Sequence, residues 1–350
     1  MIKTGTCIIS SFRGNPLPAE IVVGTGSTVA NKIIYSSSDA GTSWAKYSGN
    51  LNANATIYDV IYANGIWVAV GFWLNLVSPN YYNIAYSIDG INWTPVNPIP
   101  NFINLHKVRY GGGKFLANGT ALTYYYSSVD GINWTQQLGL SSLLIIYSTV
   151  YFNGNWYASG LDGSSSKIYR SADGVSWSLV FTYNAGSPAL TALATNGTIL
   201  TVQASNYEAW WSNNGTTWTK GTTSTGQGPL LDLAVANCIW CPWPISKFVL
   251  GGFRGSNTGT KMRASSDGKN WTSVDTSAIL GTTTNSSVYI SGLNFDSSTS
   301  TLWLTRAQSG PAGFTGVVFK TFNLSTFTTV VTNTTIPLLG YNVFSIATKP

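Results

Sequence analysis

Ser87-Ile88-Asp89-Gly90-Ile91-Asn92-Trp93 is the stretch that decides the fold, because it comes back along the chain. It recurs as Ser128-Val129-Asp130-Gly131-Ile132-Asn133-Trp134, as Ser171-Ala172-Asp173-Gly174-Val175-Ser176-Trp177 and as Ser265-Ser266-Asp267-Gly268-Lys269-Asn270-Trp271. Ser212-Asn213-Asn214-Gly215-Thr216-Thr217-Trp218 has Asn for Asp, and Ser37-Ser38-Asp39-Ala40-Gly41-Thr42-Ser43-Trp44 carries one extra residue. Thr321-Phe322-Asn323-Leu324-Ser325-Thr326-Phe327 is a seventh, degenerate copy. Each copy is called a box below. The Asp-equivalent positions 39, 89, 130, 173, 214, 267 and 323 are separated by 50, 41, 43, 41, 53 and 56 residues. A mean spacing of about 47 residues is that of a four-stranded propeller blade.

The box has a local logic. Aspartate accepts backbone N–H groups of its own turn. Glycine supplies the positive φ that other residues resist. The tryptophan three residues after the glycine starts a strand and anchors the turn. Upstream of each box lies a second recurring half. Val60-Ile61-Tyr62-Ala63-Asn64-Gly65-Ile66-Trp67-Val68-Ala69 is matched by 108–117 around Gly112, by 150–160 around Asn153-Gly154 and by 193–202 around Asn196-Gly197. Asn-Gly between apolar runs signals a hairpin. The unit therefore reads strand, Asn-Gly turn, strand, longer loop, strand, Asp-Gly turn, strand.

The spacing predicts an all-β chain, a seven-bladed β-propeller of four-stranded antiparallel blades. One domain spans 1–350: an N-terminal arm 1–19, then blades at about 20–50 plus 341–350, 57–97, 105–138, 147–182, 190–221, 231–276 and 288–332. Tyr341 to Ala347 resembles the first strand of a unit, such as Tyr58 to Ala63, and Glu20 to Gly24 resembles a second strand. The ring is thus expected to close by joining N- and C-terminal strands, with Cys7 to Phe12 as the rival first strand.

The boxes resemble the Asp-box (BNR) repeat, Ser-x-Asp-x-Gly-x-x-Trp, of sialidase-like β-propellers. Asp39 to Trp44 has the family spacing. The other copies resemble a Ser-x-Asp-Gly-x-x-Trp variant like those in phage and large DNA virus proteins, including virion and tail components. The resemblance runs from about 20 to 331. It implies that the boxes sit on outer hairpin turns, away from a central ligand site. Asp39, Gly41, Trp44, Asp89, Gly90, Trp93, Asp130, Gly131, Trp134, Asp173, Gly174, Trp177, Asn214, Gly215, Trp218, Asp267, Gly268 and Trp271 are on this reading structural.

Composition narrows the function. Of 350 residues only 9% are charged, while 44% are hydrophobic and 13% aromatic. That is far from a disordered chain, and the wealth of Thr, Ser, Val, Tyr and Trp favours strands. No apolar run is long enough for a membrane span. Met1 to Gly5 has no signal-peptide pattern. Localisation is therefore expected to follow cytoplasmic synthesis, with incorporation into a virion. The net charge of +6 is scattered, in loose groups at Lys107, Arg109 and Lys114 and at Arg254, Lys261, Arg263 and Lys269, which argues against nucleic acid. Three cysteines, Cys7, Cys238 and Cys241, make no disulfide framework, and with His106 as sole histidine no zinc site or cofactor is expected.

The sialidase pattern requires three arginines for the substrate carboxylate, a Tyr–Glu nucleophile pair, an acid Asp and a Phe/Tyr-Arg-Ile-Pro motif. Phe12-Arg13-Gly14-Asn15-Pro16 is a poor match, and Glu20 and Glu208 are the only glutamates. Glu208 follows Tyr207, and adjacent strand residues point to opposite faces. The remaining carboxylates outside the boxes, Asp59, Asp162, Asp232, Asp275 and Asp296, form no glycosidase motif. A non-enzymatic structural or interaction module is expected, possessing a protein partner and suited to a virion or particle surface. The alternative is a lectin-like carbohydrate-binding propeller, with Trp73, Tyr81, Tyr82, Trp210, Trp240 and Trp243 as candidate ligand contacts. A sialidase-like glycoside hydrolase is the second alternative. Oligomeric state is left open.

Overall fold

Paired positive φ angles close three of the inner hairpins. In the computed structural model, the residues described are 21–25, 34–46, 56–74, 81–96, 105–119, 124–138, 144–162, 165–183, 188–206, 208–223, 238–240, 248–251, 262–274, 288–296, 299, 301–308, 317–323, 325–331 and 343–349. Asn64-Gly65 (52° and 78°), Gly112-Gly113 (56° and 73°) and Asn153-Gly154 (47° and 75°) are two-residue turns with both residues left-handed. Their twist matches that of the strands they join. Asn196-Gly197 departs from this pattern. Four residues separate Leu190–Thr195 from Leu200–Ala204, and Asn196 Oδ1 accepts the N–H groups of Thr198 (3.0 Å) and Ile199 (2.9 Å). The amide oxygen organises that turn as the aspartate does in the boxes.

Seven sheets form among the described residues, numbered here in the order of their boxes. Sheet 1 holds Ile21–Thr25, Ile34–Ser37, Ala45–Lys46 and the C-terminal Val343–Thr348. Sheet 2 holds Thr56–Ala63, Ile66–Leu74, Tyr81–Ser87 and Thr94–Pro95. Sheet 3 holds Leu105–Gly111, Lys114–Gly119, Tyr124–Ser128 and Thr135–Leu138. Sheet 4 holds Leu144–Phe152, Asn155–Asp162, Ser165–Ser171 and Ser178–Tyr183. Sheet 5 adds Ala209–Ser212 and Thr219–Lys220 to its inner hairpin. Sheet 6 holds Cys238–Trp240, Phe248–Gly251, Met262–Ser265, Asn270–Val274 and the short Thr222–Thr223. Sheet 7 holds Val288–Asp296, Thr301–Gln308, Val317–Thr321 and Phe327–Val331.

The expectation of seven four-stranded antiparallel blades is corrected here: six sheets, not seven, are of that kind. Sheet 6 has five strands, and its added strand runs parallel, Thr222 opposite Asn270 and Thr223 opposite Trp271. Gly221 explains the departure. A Cβ there would lie 2.2 Å from the Lys269 carbonyl oxygen, so only glycine lets the chain leaving sheet 5 pass this close. The Gly221 N–H donates to the Ala209 carbonyl of sheet 5 (2.7 Å), and the next N–H, of Thr222, donates to the Lys269 carbonyl of sheet 6 (2.9 Å). The expected blade end at 221 falls on this joint.

Neighbouring innermost strands touch around a closed circle, from Thr56–Ala63 through Leu105–Gly111, Leu144–Phe152, Leu190–Thr195, Cys238–Trp240 and Val288–Asp296 to Val343–Thr348. The chain ends meet in sheet 1, where Val22 lies opposite Ala347 and Val23 opposite Ile346. The arm 1–19, with Cys7 to Phe12, lies outside the described residues.

Sheets pack face to face. Val68, Val70 and Ile84 of sheet 2 meet Val108, Phe115 and Tyr126 of sheet 3. Tyr157 and Ile168 of sheet 4 meet Leu193, Leu200 and Val202 of sheet 5. Both faces of a middle strand are covered, which is why Leu200–Ala204 is buried at every position although polar Thr201 and Gln203 alternate with apolar Leu200, Val202 and Ala204.

Each box is a closed hydrogen-bond circuit. Ser87 Oγ donates to Asp89 Oδ1 (2.9 Å) and accepts the Gly90 N–H (2.8 Å). Asp89 Oδ1 accepts the N–H groups of Ile91 (2.8 Å) and Asn92 (2.7 Å). Asn214 and Asn323 accept the same two N–H groups through their amide oxygens. The box also docks on the preceding sheet. Tyr125 of sheet 3 donates from its hydroxyl to the Gly174 carbonyl (2.6 Å) and accepts the Trp177 Nε1–H (2.8 Å), both in the sheet 4 box. Lys114 of sheet 3 donates to the Asp173 carbonyl (2.6 Å), and Thr201 of sheet 5 to the Gly268 carbonyl (3.1 Å). A Cβ on Gly215 would fall 1.9 Å from the Tyr157 hydroxyl of sheet 4. The box is thus an inter-sheet joint as well as a turn.

These bonds hold the carboxyls low. The Ser43 hydroxyl and N–H and the Ser37 hydroxyl bring Asp39 down to about 2. At Asp267 burial pushes up, but the N–H groups of Asn270 and Lys269 and the Asn270 and Ser265 side chains outweigh it, again to about 2. A free aspartate titrates near about 3.9. The charged boxes therefore stabilise the fold above about pH 4 and lose that contribution as pH falls toward 2. Thermal melts across this range should show the loss, and Asp267→Asn should reduce its slope; an unchanged slope contradicts the assignment. Trp93, 4% exposed, donates Nε1–H to the Gly90 carbonyl (3.2 Å). Trp93→Ala is expected to cost about 3–5 kcal/mol in denaturant unfolding; a loss under about 1 kcal/mol contradicts a buried anchor.

Candidate functional site: an aromatic collar at the bulged end

Six of the innermost strands carry one extra residue at the same place. The register slips at Tyr58 between Ile57 and Asp59, at His106 between Leu105 and Lys107, and at Tyr147 between Ile146 and Ser148. It slips likewise at Thr191, at Ser291 and, on the C-terminal strand, at Phe344. A bulge leaves its extra residue unpaired, bends the strand and re-aims a side chain. All six lie opposite the last residues of the second strands. The bulged end is therefore where second strands lead into third strands, and the boxes and inner hairpins occupy the other end.

Tyr58, His106, Tyr147 and Thr191 are half-buried on strands that surround the axis. Tyr58 stacks on His106 with ring centroids 4.2 Å apart and planes 24° apart. Burial raises the hydroxyl pKa of Tyr58 and of Tyr147. Burial, helped by the charge of Lys107, brings His106 down to about 4. Both effects disfavour the charged form. At neutral pH the collar is uncharged and aromatic, with protonated hydroxyls.

Polar bridges, all but the last beside the bulges, tie the strands that carry it. Asp59 accepts the Val108 N–H (3.1 Å) and Arg109 Nη1 (2.6 Å), joining sheets 2 and 3. Asn118 donates to the Ile146 carbonyl (3.0 Å), and the Leu193 N–H donates to Ser148 Oγ (3.2 Å). Asn294 donates to Thr348 Oγ1 (2.7 Å), joining sheet 7 to sheet 1. Satisfied buried networks of this kind fix geometry.

The described carboxylates outside the boxes have structural partners. Besides Asp59, Asp162 pairs with Lys167 (2.6 Å) and Asp296 accepts from the Thr299 hydroxyl (2.6 Å). Glu208 accepts from Lys220 Nζ (2.5 Å) and from the hydroxyl of Tyr183, a residue of the neighbouring sheet. Its tyrosine partner is therefore Tyr183; Tyr207, with Arg13, Glu20, Asp232 and Asp275, lies outside the described residues. Among the described residues no cluster of His, Cys, Asp or Glu could hold a metal ion, and no helix is long and apolar enough to cross a membrane.

The described aromatic candidates lie on different sheets. Trp73 and Tyr81 lie at strand ends of sheet 2 at the bulged end, where Tyr82 packs partly against the Trp67 cluster. Trp210 is wedged against Phe181 (5.2 Å) and Tyr183 (5.5 Å), between sheets 4 and 5. Trp240 sits opposite Val249, at the hairpin end of sheet 6 and away from the collar. Trp243, Cys7 and Cys241 lie outside the described residues. Sequence reasoning missed the collar because His106 reads as a strand-edge residue and Tyr58 as an ordinary strand start. The available signal was an aromatic or polar residue directly after a large apolar residue near the start of an inner strand, as in Ile57-Tyr58, Leu105-His106, Ile146-Tyr147 and Leu190-Thr191.

No protein-family model matches the chain, and no curated protein is similar to it at a significant level. Solved structures do resemble it. YCF48 bound to a D1 peptide is 17% identical, with 79% of this chain and 82% of that chain covered and a TM-score of 0.50. The WD40 β-propeller domain of Doa1 is 10% identical, with 83% and 90% covered and a TM-score of 0.50. A catalytically inactive virginiamycin B lyase from Staphylococcus aureus with quinupristin is 9% identical, with 78% and 94% covered and a TM-score of 0.53. A chain of the mitotic checkpoint complex is 11% identical, with 95% and 86% covered and a TM-score of 0.51. At these identities the likeness establishes the all-β propeller fold.

As the sole histidine, His106 can be followed by its imidazole proton resonances. A midpoint near pH 4 is expected in the folded protein. Unfolded histidine takes up its proton near about 6.5, so stability should fall as pH drops from 6.5 toward 4. His106→Phe, which keeps a ring against Tyr58, should flatten that segment. A folded-state midpoint near 6.5 contradicts the buried, neutral collar.

Proposed function

We propose that this chain is a non-enzymatic interaction module that holds a protein partner at the aromatic collar. The observation that carries the reading is the set of bulged side chains Tyr58, His106, Tyr147 and Thr191, with Tyr58 and His106 stacked at 4.2 Å. Uncharged, half-buried aromatic surface held rigidly in place binds partners at low entropic cost. The structural relatives lend support by what they hold: one is bound to a D1 peptide, and another belongs to the mitotic checkpoint complex. The structural partners of Asp59, Asp162, Glu208 and Asp296 support a role without acid–base chemistry.

The finer reading is a component of a virion or other particle surface, in the sialidase-like Asp-box lineage that the boxes resemble. A chain with only 9% charged residues and abundant Ser and Thr suits a durable assembly. Carbohydrate binding is the second reading, favoured by Trp73 and Tyr81 at the bulged end of sheet 2.

The test is isolation from the native source beside Tyr58→Ala and Tyr147→Ala variants. A stable protein partner is expected with the unaltered chain, reduced at least tenfold in both variants while melting is little changed. A lone monomer contradicts the reading. Salt-insensitive binding to a related set of sugars on a glycan array, lost in Trp73→Ala, would transfer the function to carbohydrate.

A further inference from the structure

The outer strand of each sheet exposes one row of backbone N–H and C=O groups, and natural sheets blunt such edges with charge, proline, bulges or covering strands. Six of the seven outer edges here are blunted among the described residues. Sheet 1 ends in the two-residue Ala45–Lys46 and sheet 5 in the two-residue Thr219–Lys220, each bearing a lysine. Sheet 2 ends in Thr94–Pro95. Sheets 4 and 7 have outer strands interrupted by a register shift, at Val180 and at Val330. Sheet 6 is covered at Asn270 and Trp271 by Thr222–Thr223.

Sheet 3 is the exception. Thr135–Leu138 pairs in unbroken register with Tyr124–Ser127 and has no charge, proline or bulge. Gln137 is tied back to Ser127 Oγ (3.0 Å), while Thr135, Gln136 and Leu138 are exposed, Leu138 at 85%. The molecule itself displays what such an edge accepts: Thr222–Thr223, a short, uncharged, extended threonine segment, pairs in parallel with the outer strand of sheet 6.

We infer that the outer edge of sheet 3 is a strand-addition site for an extended, uncharged peptide segment of a partner protein, with an apolar residue placed against Leu138. Main-chain pairing would supply affinity and the Leu138 contact selectivity, as in other β-augmentation. The inference rests on the interaction-module reading but uses a surface separate from the collar.

The probe is a fluorescein-labelled hexapeptide of alternating threonine and valine, with a control whose central valine is proline. Saturable anisotropy is expected for the first peptide and none for the second. Hydrogen exchange of the amides in 135–138 should slow at least tenfold on binding. Leu138→Lys should weaken binding at least tenfold with unchanged melting, whereas Tyr147→Ala should bind normally. Absence of saturable binding, or binding indifferent to Leu138→Lys, overturns the inference. A dimer in sedimentation equilibrium that Leu138→Lys dissolves also overturns it, because a second copy then occupies the edge. Loss of the native partner in Tyr147→Ala alone leaves the collar standing without the edge; a bound hexapeptide with no native partner at the collar does the reverse.

Discussion

An aspartate oxygen that accepts two N–H groups of its own turn is a small interaction, but the ring is assembled on it. At Asp173 that oxygen receives the N–H groups of Val175 and Ser176, each at 2.8 Å, which folds the turn back and presents the Gly174 carbonyl outward. The carbonyl then receives the Tyr125 hydroxyl of the preceding sheet. Local closure and inter-sheet docking are consecutive bonds of one circuit. A chain with few charged residues can join sheets this way, as backbone carbonyls, hydroxyls and an indole do between sheets 3 and 4 and a hydroxyl and a carbonyl between sheets 5 and 6.

The two ends of the ring consequently differ. The box end carries the turns that dock one sheet on the next. At the bulged end six of the seven inner strands carry an extra residue, and the bridges from Asp59, Asn118 and Ser148 beside it tie adjacent strands. Side chains re-aimed by bulges on a rigid frame suit a binding surface, and functional residues gather where a rigid scaffold positions them.

Much of the fold was legible because its determinants are local. A serine two residues before an aspartate, a glycine that must take positive φ and a tryptophan three residues later are visible at fixed spacing. The departures have physical causes outside any single repeat. Sheet 6 gained its parallel strand because Gly221 permits an approach to Lys269, a contact between residues of two different units. Asn196-Gly197 made a four-residue Asx turn because its amide found the N–H groups of Thr198 and Ile199. The collar was illegible because a bulge is a property of two strands in register, and His106 alone does not announce it. Aromatic abundance does not tell where a ring lies: Trp210 packs between sheets 4 and 5, and Trp240 lies at the hairpin end of sheet 6.

The central claim is that the box couples neighbouring sheets, and a double-mutant cycle measures it directly. Tyr125→Phe in sheet 3 removes the hydroxyl that bonds the Gly174 carbonyl, and Asp173→Ala in sheet 4 removes the oxygen that shapes that turn. Unfolding free energies of the two single variants and the double variant should depart from additivity by about 0.5 kcal/mol or more. Additive losses would mean that the turn and the joint are independent, and that the ring is held by something other than its boxes.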